Sequence, residues 1–124
     1  MSELCYLGAR KLAALLRQRS VSAVEVTAAH LDQVARLNPS LNAIVTITAA
    51  QALERAMKLD QAAGRGEFQG SLHGLPVAHK DLFDTRGVRT TYGSLIYELK
   101  TMCSMCLCVS KKRPTMRSKS HLNN

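Results

Sequence analysis

The sequence predicts an α/β fold. Three stretches place apolar residues at helical spacing, and two short segments, residues 43–47 and 77–83, read as strands. Between these stretches lie Asn-Pro, Ser and Gly residues, which punctuate regular structure.

The first helix is expected between Gly8 and Arg19. Leu12, Leu15 and Leu16 fall three and four residues apart, with Arg10, Lys11, Arg17 and Arg19 on the outer side. Ser20-Val21-Ser22 interrupts it. Ser22 followed three residues later by Glu25 is a capping-box spacing, which starts a second helix. Val24, Ala28, Leu31 and Val34 or Ala35 mark its inward face, and His30 beside them reads as a partly exposed helix residue. Asn38-Pro39 is expected to stop this helix, because the residue before a proline avoids the helical region. Ala43-Ile44-Val45-Thr46-Ile47 is short and β-branched, hence the first strand. Ala49 to Ala63 returns to helix with Ala49, Leu53, Ala56 and Met57 inward, and Gly64 and Gly66 end it.

A glycine-bearing loop, Gly70-Ser71-Leu72-His73-Gly74-Leu75-Pro76, then leads to the second strand. Alternation over residues 77–83 sets Val77, His79, Asp81 and Phe83 on one side. Ala78, Lys80 and Leu82 fall on the other. Gly87 and Gly93 indicate turns.

Lys80 is the residue with the most chemistry to offer. A charged lysine is costly to bury among apolar neighbours. A lysine stripped of its proton is a base. The structural alternative is a lysine paired with Asp81 or Asp84 at a strand end. Those two aspartates either orient Lys80 or cap a turn. His73 and His79 flank the loop; satisfying loop carbonyls is the expected role, with substrate contact as the alternative. Ser94 reads as a turn residue.

The chain has 124 residues and a formal charge of +8, with 4% aromatic residues and no Trp. That size fits one small domain whose core is built from Ala, Leu and Val. The charge is uneven. Residues 1–98 hold eleven Lys or Arg against nine Asp or Glu, while Lys100, Lys111, Lys112, Arg113, Arg117 and Lys119 face no acid after position 98. The body therefore has an ordinary surface, and specific nucleic-acid binding is not expected. No apolar run is long enough to span a bilayer, and the N-terminus lacks the pattern of a secretory signal. The expected compartment is the cytoplasm.

Over about residues 7–97 the chain resembles the amidase signature family. The resemblance rests on Val21-Ser22-Ala23-Val24-Glu25, on Leu37-Asn38-Pro39 with Leu41-Asn42-Ala43, on the glycine-rich loop into His79-Lys80-Asp81, and on Thr90-Thr91-Tyr92-Gly93-Ser94. Ser71, where the family usually has proline, and His79, where an aliphatic residue is commoner, are departures. The resemblance implies a mixed β-sheet covered by helices and hydrolysis of a C–N amide bond by a Ser–cis-Ser–Lys triad. Lys80 matches the triad lysine, which takes the proton from the bridging serine. No metal or organic cofactor is implied, and the partner is a small-molecule amide. A tRNA-dependent amidotransferase contains an amidase component that uses the same chemistry on glutamine, and this is a related possibility.

Family members are several times longer, and their triad serines lie in a Gly-Ser-rich segment beyond the Gly93-Ser94 turn. No such segment follows position 94 here. Instead Met, Cys and Lys accumulate. The expectation is an N-terminal amidase portion over residues 1–98, truncated by a reading-frame shift near residues 95–100 and inactive by itself. Residues 99–124 are expected to form a disordered basic tail. Cys103, Cys106 and Cys108 have half the ligands of a zinc site, with His121 remote, and read as free thiols. The rival from another class is a small interaction module whose basic tail recruits an acidic partner.

Overall fold

The computed structural model describes residues 2–99. Its described residues form three α-helices: α1 (Ala9–Arg17), α2 (Ala23–Leu41) and α3 (Ala49–Gly64). Short 3-10 turns at Ser2–Tyr6 and Leu95–Tyr97 flank them. The expected tail, its cysteines and its basic cluster lie outside the described residues, apart from Leu99.

The N-terminus of α2 is where the fold is tied together. A helix leaves its first N–H groups without intrahelical partners. Here each of them is met. The Ser22 N–H donates to Glu25 Oε2 at 2.8 Å, and the Glu25 N–H donates to Ser22 Oγ at 3.0 Å, forming the expected capping box. The two N–H groups between them, of Ala23 and Val24, donate to Asp60 Oδ1 at 2.6 Å and Oδ2 at 3.0 Å. Asp60 comes from α3, so one carboxylate both caps α2 and joins two helices. Its negative charge also sits at the positive end of the α2 dipole. The Ser22 backbone and hydroxyl hold the Glu25 carboxyl below its usual pKa, in that order of importance.

Around this junction pack the buried Leu12, Leu16, Ala23, Val26 and Ala56, joined by partly buried Leu4, Leu7, Val21, Val24, Leu59 and Leu75. The core is made of small aliphatic side chains, as the composition requires. The inward face of α2 is centred on Ala23, Val26, Thr27 and Ala29 rather than on the Val24–Ala28–Leu31 row. The cause is the Asp60 clasp, which sets the rotation of the helix at its first turn. On α3, Ala56, Ala62 and Ala63 are buried while Met57 is half exposed.

Helix ends follow local chemistry. After α3, the N–H groups of Gly66 and Glu67 donate to the carbonyls of Ala63 and Ala62, a Schellman arrangement with Gly66 at φ +75°. The same pattern ends α1, although Arg19 holds the left-handed position there at φ +56°. The α2 helix continues two residues past Asn38-Pro39, to Leu41, and is capped by Asn42 in the left-handed region at φ +48°. The Asn38 side chain explains this. Its Oδ1 accepts from the Ile44 N–H at 2.8 Å and its Nδ2 donates to the Ile44 carbonyl at 3.0 Å, drawing the following chain back against the last turn.

Neither expected strand forms among the described residues, so the sheet of the α/β reading is not seen there. A strand requires a neighbour to receive its N–H and C=O groups. Residues 43–48 retain the strand's alternation in burial. Ile44, Thr46 and Thr48 are half-buried, and Ala43, Val45 and Ile47 are exposed. No described segment pairs with them. Residues 76–80 are exposed throughout, and the chain then turns.

Replacing Asp60 with Ala leaves two partly buried N–H groups without acceptors and should lower stability by about 1–3 kcal/mol. A shift of the urea midpoint at constant slope is the expected result. An unchanged midpoint would show that water replaces the carboxylate without cost.

Candidate functional site

The loop leading to Lys80 is fixed by the helical layer. His73 is buried. Its Nδ1 accepts from the Gln69 N–H at 3.0 Å, which leaves Nε2 to donate to the Leu59 carbonyl of α3 at 3.2 Å. The carbonyl it satisfies belongs to α3 and not, as expected, to the loop, which it holds instead by accepting the Gln69 N–H. Phe68 packs edge-on against its ring, and the Arg17 guanidinium lies over Phe68 while donating to the Gly70 carbonyl at 3.2 Å. Gly74 has φ +79°, and a Cβ there would lie 3.1 Å from the Ala23 Cβ and 3.2 Å from Leu16 Cδ2. Only glycine lets the backbone approach the α1–α2 junction so closely.

Beyond Pro76 the structure departs from the sequence expectation. Lys80 is exposed, as are Ala78, His79 and Leu82, so it does not share a buried face with apolar neighbours. The Lys80 carbonyl accepts from the N–H groups of Leu82 at 2.7 Å and Phe83 at 3.1 Å, which turns the chain where the strand was expected to continue. Exposed Val77, Leu82 and Phe83 surround this position in sequence.

The turn is closed from the other side by residues 90–94. Asp81 does not face Lys80. Its Oδ1 accepts from the Thr91 N–H at 2.9 Å, and its Oδ2 accepts from the Thr91 hydroxyl. Thr91 Oγ1 in turn accepts from the Gly93 N–H at 3.3 Å. Thr90 and Thr91 are 2% and 8% exposed, and Thr90 Oγ1 donates to the Phe83 carbonyl at 3.3 Å. Tyr92 and Gly93 both have positive φ, +53° and +68°, and the Ser94 N–H donates to the Thr91 carbonyl at 2.9 Å. This is a type I′ turn with a tyrosine in a position that costs about 1–2 kcal/mol for a side-chain-bearing residue. An edge contact between Tyr92 and Tyr97 at 5.5 Å supports it. Gly87 and Gly93 sit in turns, as expected, and Ser94 caps the Leu95–Tyr97 turn, its Oγ accepting from the Ile96 N–H.

The threonine hydroxyl, then the Thr91 N–H, hold the Asp81 carboxyl below the usual aspartate range. The Gly93 N–H and the Arg89 charge add to this, and partial burial opposes it. Two clefts of about 250 Å³ lie elsewhere. One has Ser22, Glu25 and Asp60 in its wall; the other is apolar, with Leu7, Leu12, His30 and Leu75. Lys80 lines neither. Among the described residues no group of His, Cys, Asp and Glu could hold a metal ion. No helix among them is long and apolar enough to cross a membrane.

Asp60 and the Asp81–Thr91 pairing were not read from the sequence. Thr90-Thr91 before Tyr-Gly was visible, but nothing local names the aspartate ten residues earlier as its partner.

Because the Asp81 pKa is lowered on folding, its contribution is present above the ordinary aspartate value of about 3.9 and lost as pH falls through the lower folded value. The Thr91 amide proton shift should titrate with a midpoint below about 3.9. That step should vanish in Asp81→Ala. A midpoint at or above that value contradicts the geometry.

The amidase family model matches residues 25–109, which include the glycine-rich loop, Lys80 and the Thr90–Gly93 turn. A glutamyl-tRNA(Gln) amidotransferase subunit of Acidothermus cellulolyticus is 46% identical over 98 residues, covering 79% of this chain and 19% of that protein. The protein of the same name from Methylococcus capsulatus is 48% identical over 84 residues, covering 68% and 17%. That of Gluconobacter oxydans is 51% identical over 81 residues, covering 65% and 16%. The chain thus spans about a fifth of the length of these curated relatives. With its family match running through both turns that frame Lys80, the chain belongs to the amidase family.

Proposed function

We propose that this chain carries the lysine-bearing part of an amide hydrolase, in which Lys80 is the general base of a Ser–cis-Ser–Lys mechanism. The observation that carries this reading is the position of Lys80. It stands between a loop pinned to the helical layer and a strained turn, within the family match. Exposed Val77, Leu82 and Phe83 near it would form an apolar wall once further polypeptide covered them. Apolar cover favours the neutral form of an amine, and a neutral amine can accept a hydroxyl proton. The serines would come from a Gly-Ser-rich segment that is not found after position 94. Attack of one serine on the carbonyl carbon, its proton passed through the bridging serine to Lys80, would release ammonia or an amine that takes up that proton, and water would then release the carboxylate and free the serine. The substrate is a small-molecule amide, and the reaction needs no cofactor.

The mixed sheet belongs to the same proposal, with residues 43–47 as a strand awaiting a partner. Exposed Val45 and Ile47 support this, as does Thr46 Oγ1, which is buried with no hydrogen-bond partner among the described residues. So does the division into an amidase portion, residues 1–98, and a tail, residues 99–124. A second reading, release of ammonia from glutamine for a tRNA-linked amidotransferase, is favoured by the shared name of the relatives.

The purified 124-residue chain should release no ammonia from simple amides. Robust turnover that disappears in Lys80→Ala would overturn that expectation. A chimera with residues 1–99 in place of the matching segment of the Acidothermus relative tests the role of the lysine. There Lys80→Ala should slow ammonia release from glutamine by about 10²–10⁴-fold. Unchanged turnover would remove Lys80 from the mechanism.

A further inference from the structure

We propose that Asp81 is a positioning residue for Lys80: by holding Thr91 with both carboxylate oxygens, it fixes the backbone that presents the lysine. The proposal rests on the reading of Lys80 as the base, and it adds a role for the residue beside it. Lys80 is exposed, so packing does not hold its side chain. What is fixed is the chain on which it stands. The Asp81 carboxylate receives the Thr91 N–H and hydroxyl, and the Thr91 oxygen receives the Gly93 N–H. Two residues farther on, the Phe83 carbonyl receives the Thr90 hydroxyl at 3.3 Å. The Lys80 carbonyl is held by Leu82 and Phe83. Lys80 is therefore flanked on its C-terminal side by polar contacts to one buried pair, Thr90 and Thr91.

An aspartate next to a lysine suggests an ion pair. The geometry gives the carboxylate another task, since both of its oxygens are directed at Thr91. Asp81 thus holds the chain rather than the lysine side chain. A base has to reach its proton at about 2.6–3.2 Å, and a misplacement of about 1 Å can cost 10²-fold. A two-point hold one residue away limits such displacement.

The test has two arms. In the full 124-residue chain, the backbone N–H order parameter of Lys80 should fall from about 0.85 to below about 0.6 in Asp81→Ala and in Thr91→Val. Thr91→Ser, which keeps the hydroxyl, should restore it. The amides of Leu16, Val26 and Ala56 serve as the control for an intact helical layer. Should Asp81→Ala disturb them, Thr91→Val decides. An unchanged Lys80 order parameter with the helical layer intact overturns the proposal.

The second arm uses the chimera described above. Asp81→Ala should lower kcat about 10–100-fold with KM altered less than about two-fold, because displacement of the base affects the chemical step rather than binding. If Lys80→Ala abolishes turnover while Asp81→Ala keeps the parent kcat, the positioning role fails and the amidase reading stands. If Lys80→Ala retains full turnover, the amidase reading itself fails.

Discussion

The Asp60 carboxylate, held against the first two N–H groups of α2, is the constraint on which the rest of this structure depends. It completes the set of donors that the Ser22–Glu25 pair leaves unmet, and it does so from another helix. Three consequences follow. The first turn of α2 is set in rotation, so Ala23 and Val26 face inward. α3 is brought alongside α2. The chain leaving α3 then emerges where His73 can reach the Leu59 carbonyl and Gly74 can rest on Ala23. A capping contact thereby becomes the organiser of a core with few large side chains.

From that core the path to Lys80 is short and built from polar contacts. The helical layer fixes the loop as far as Leu75, and the Thr90–Gly93 turn fixes the chain beyond Asp81. Between them the lysine is displayed on a surface rich in exposed apolar side chains. This organisation places anchors on both sides of the lysine and leaves its own face open among the described residues. Tyr92 in the left-handed region fits this picture, because strained backbone persists where neighbouring contacts determine it.

Much of the helical layer was legible in the sequence. The capping box at Ser22 and Glu25, the glycine stop after α3 and the leucine spacing of α1 each depend on residues within four positions of one another. What was not legible depends on pairs far apart. Asp60 meets Ala23 across 37 residues, and nothing in the α3 sequence marks that carboxylate as a cap. Asp81 meets Thr91 across ten. The strands failed for the opposite reason. Their local composition was right, but a strand is defined by its partner, and none lies among the described residues. The extension of α2 past Pro39 reflects the Asn38–Ile44 contacts, which outweigh the preference of the residue before proline.

The sequence separations of these two aspartate contacts differ in a way that bears on order of assembly. Closing a loop costs entropy that grows with the logarithm of its length. For spans of 37 and ten residues the difference is about 1 kcal/mol in favour of the shorter. The turn that frames the lysine can thus organise largely from its own neighbourhood. The helix junction, by contrast, must bring two distant stretches of polypeptide together before its carboxylate finds the waiting amides.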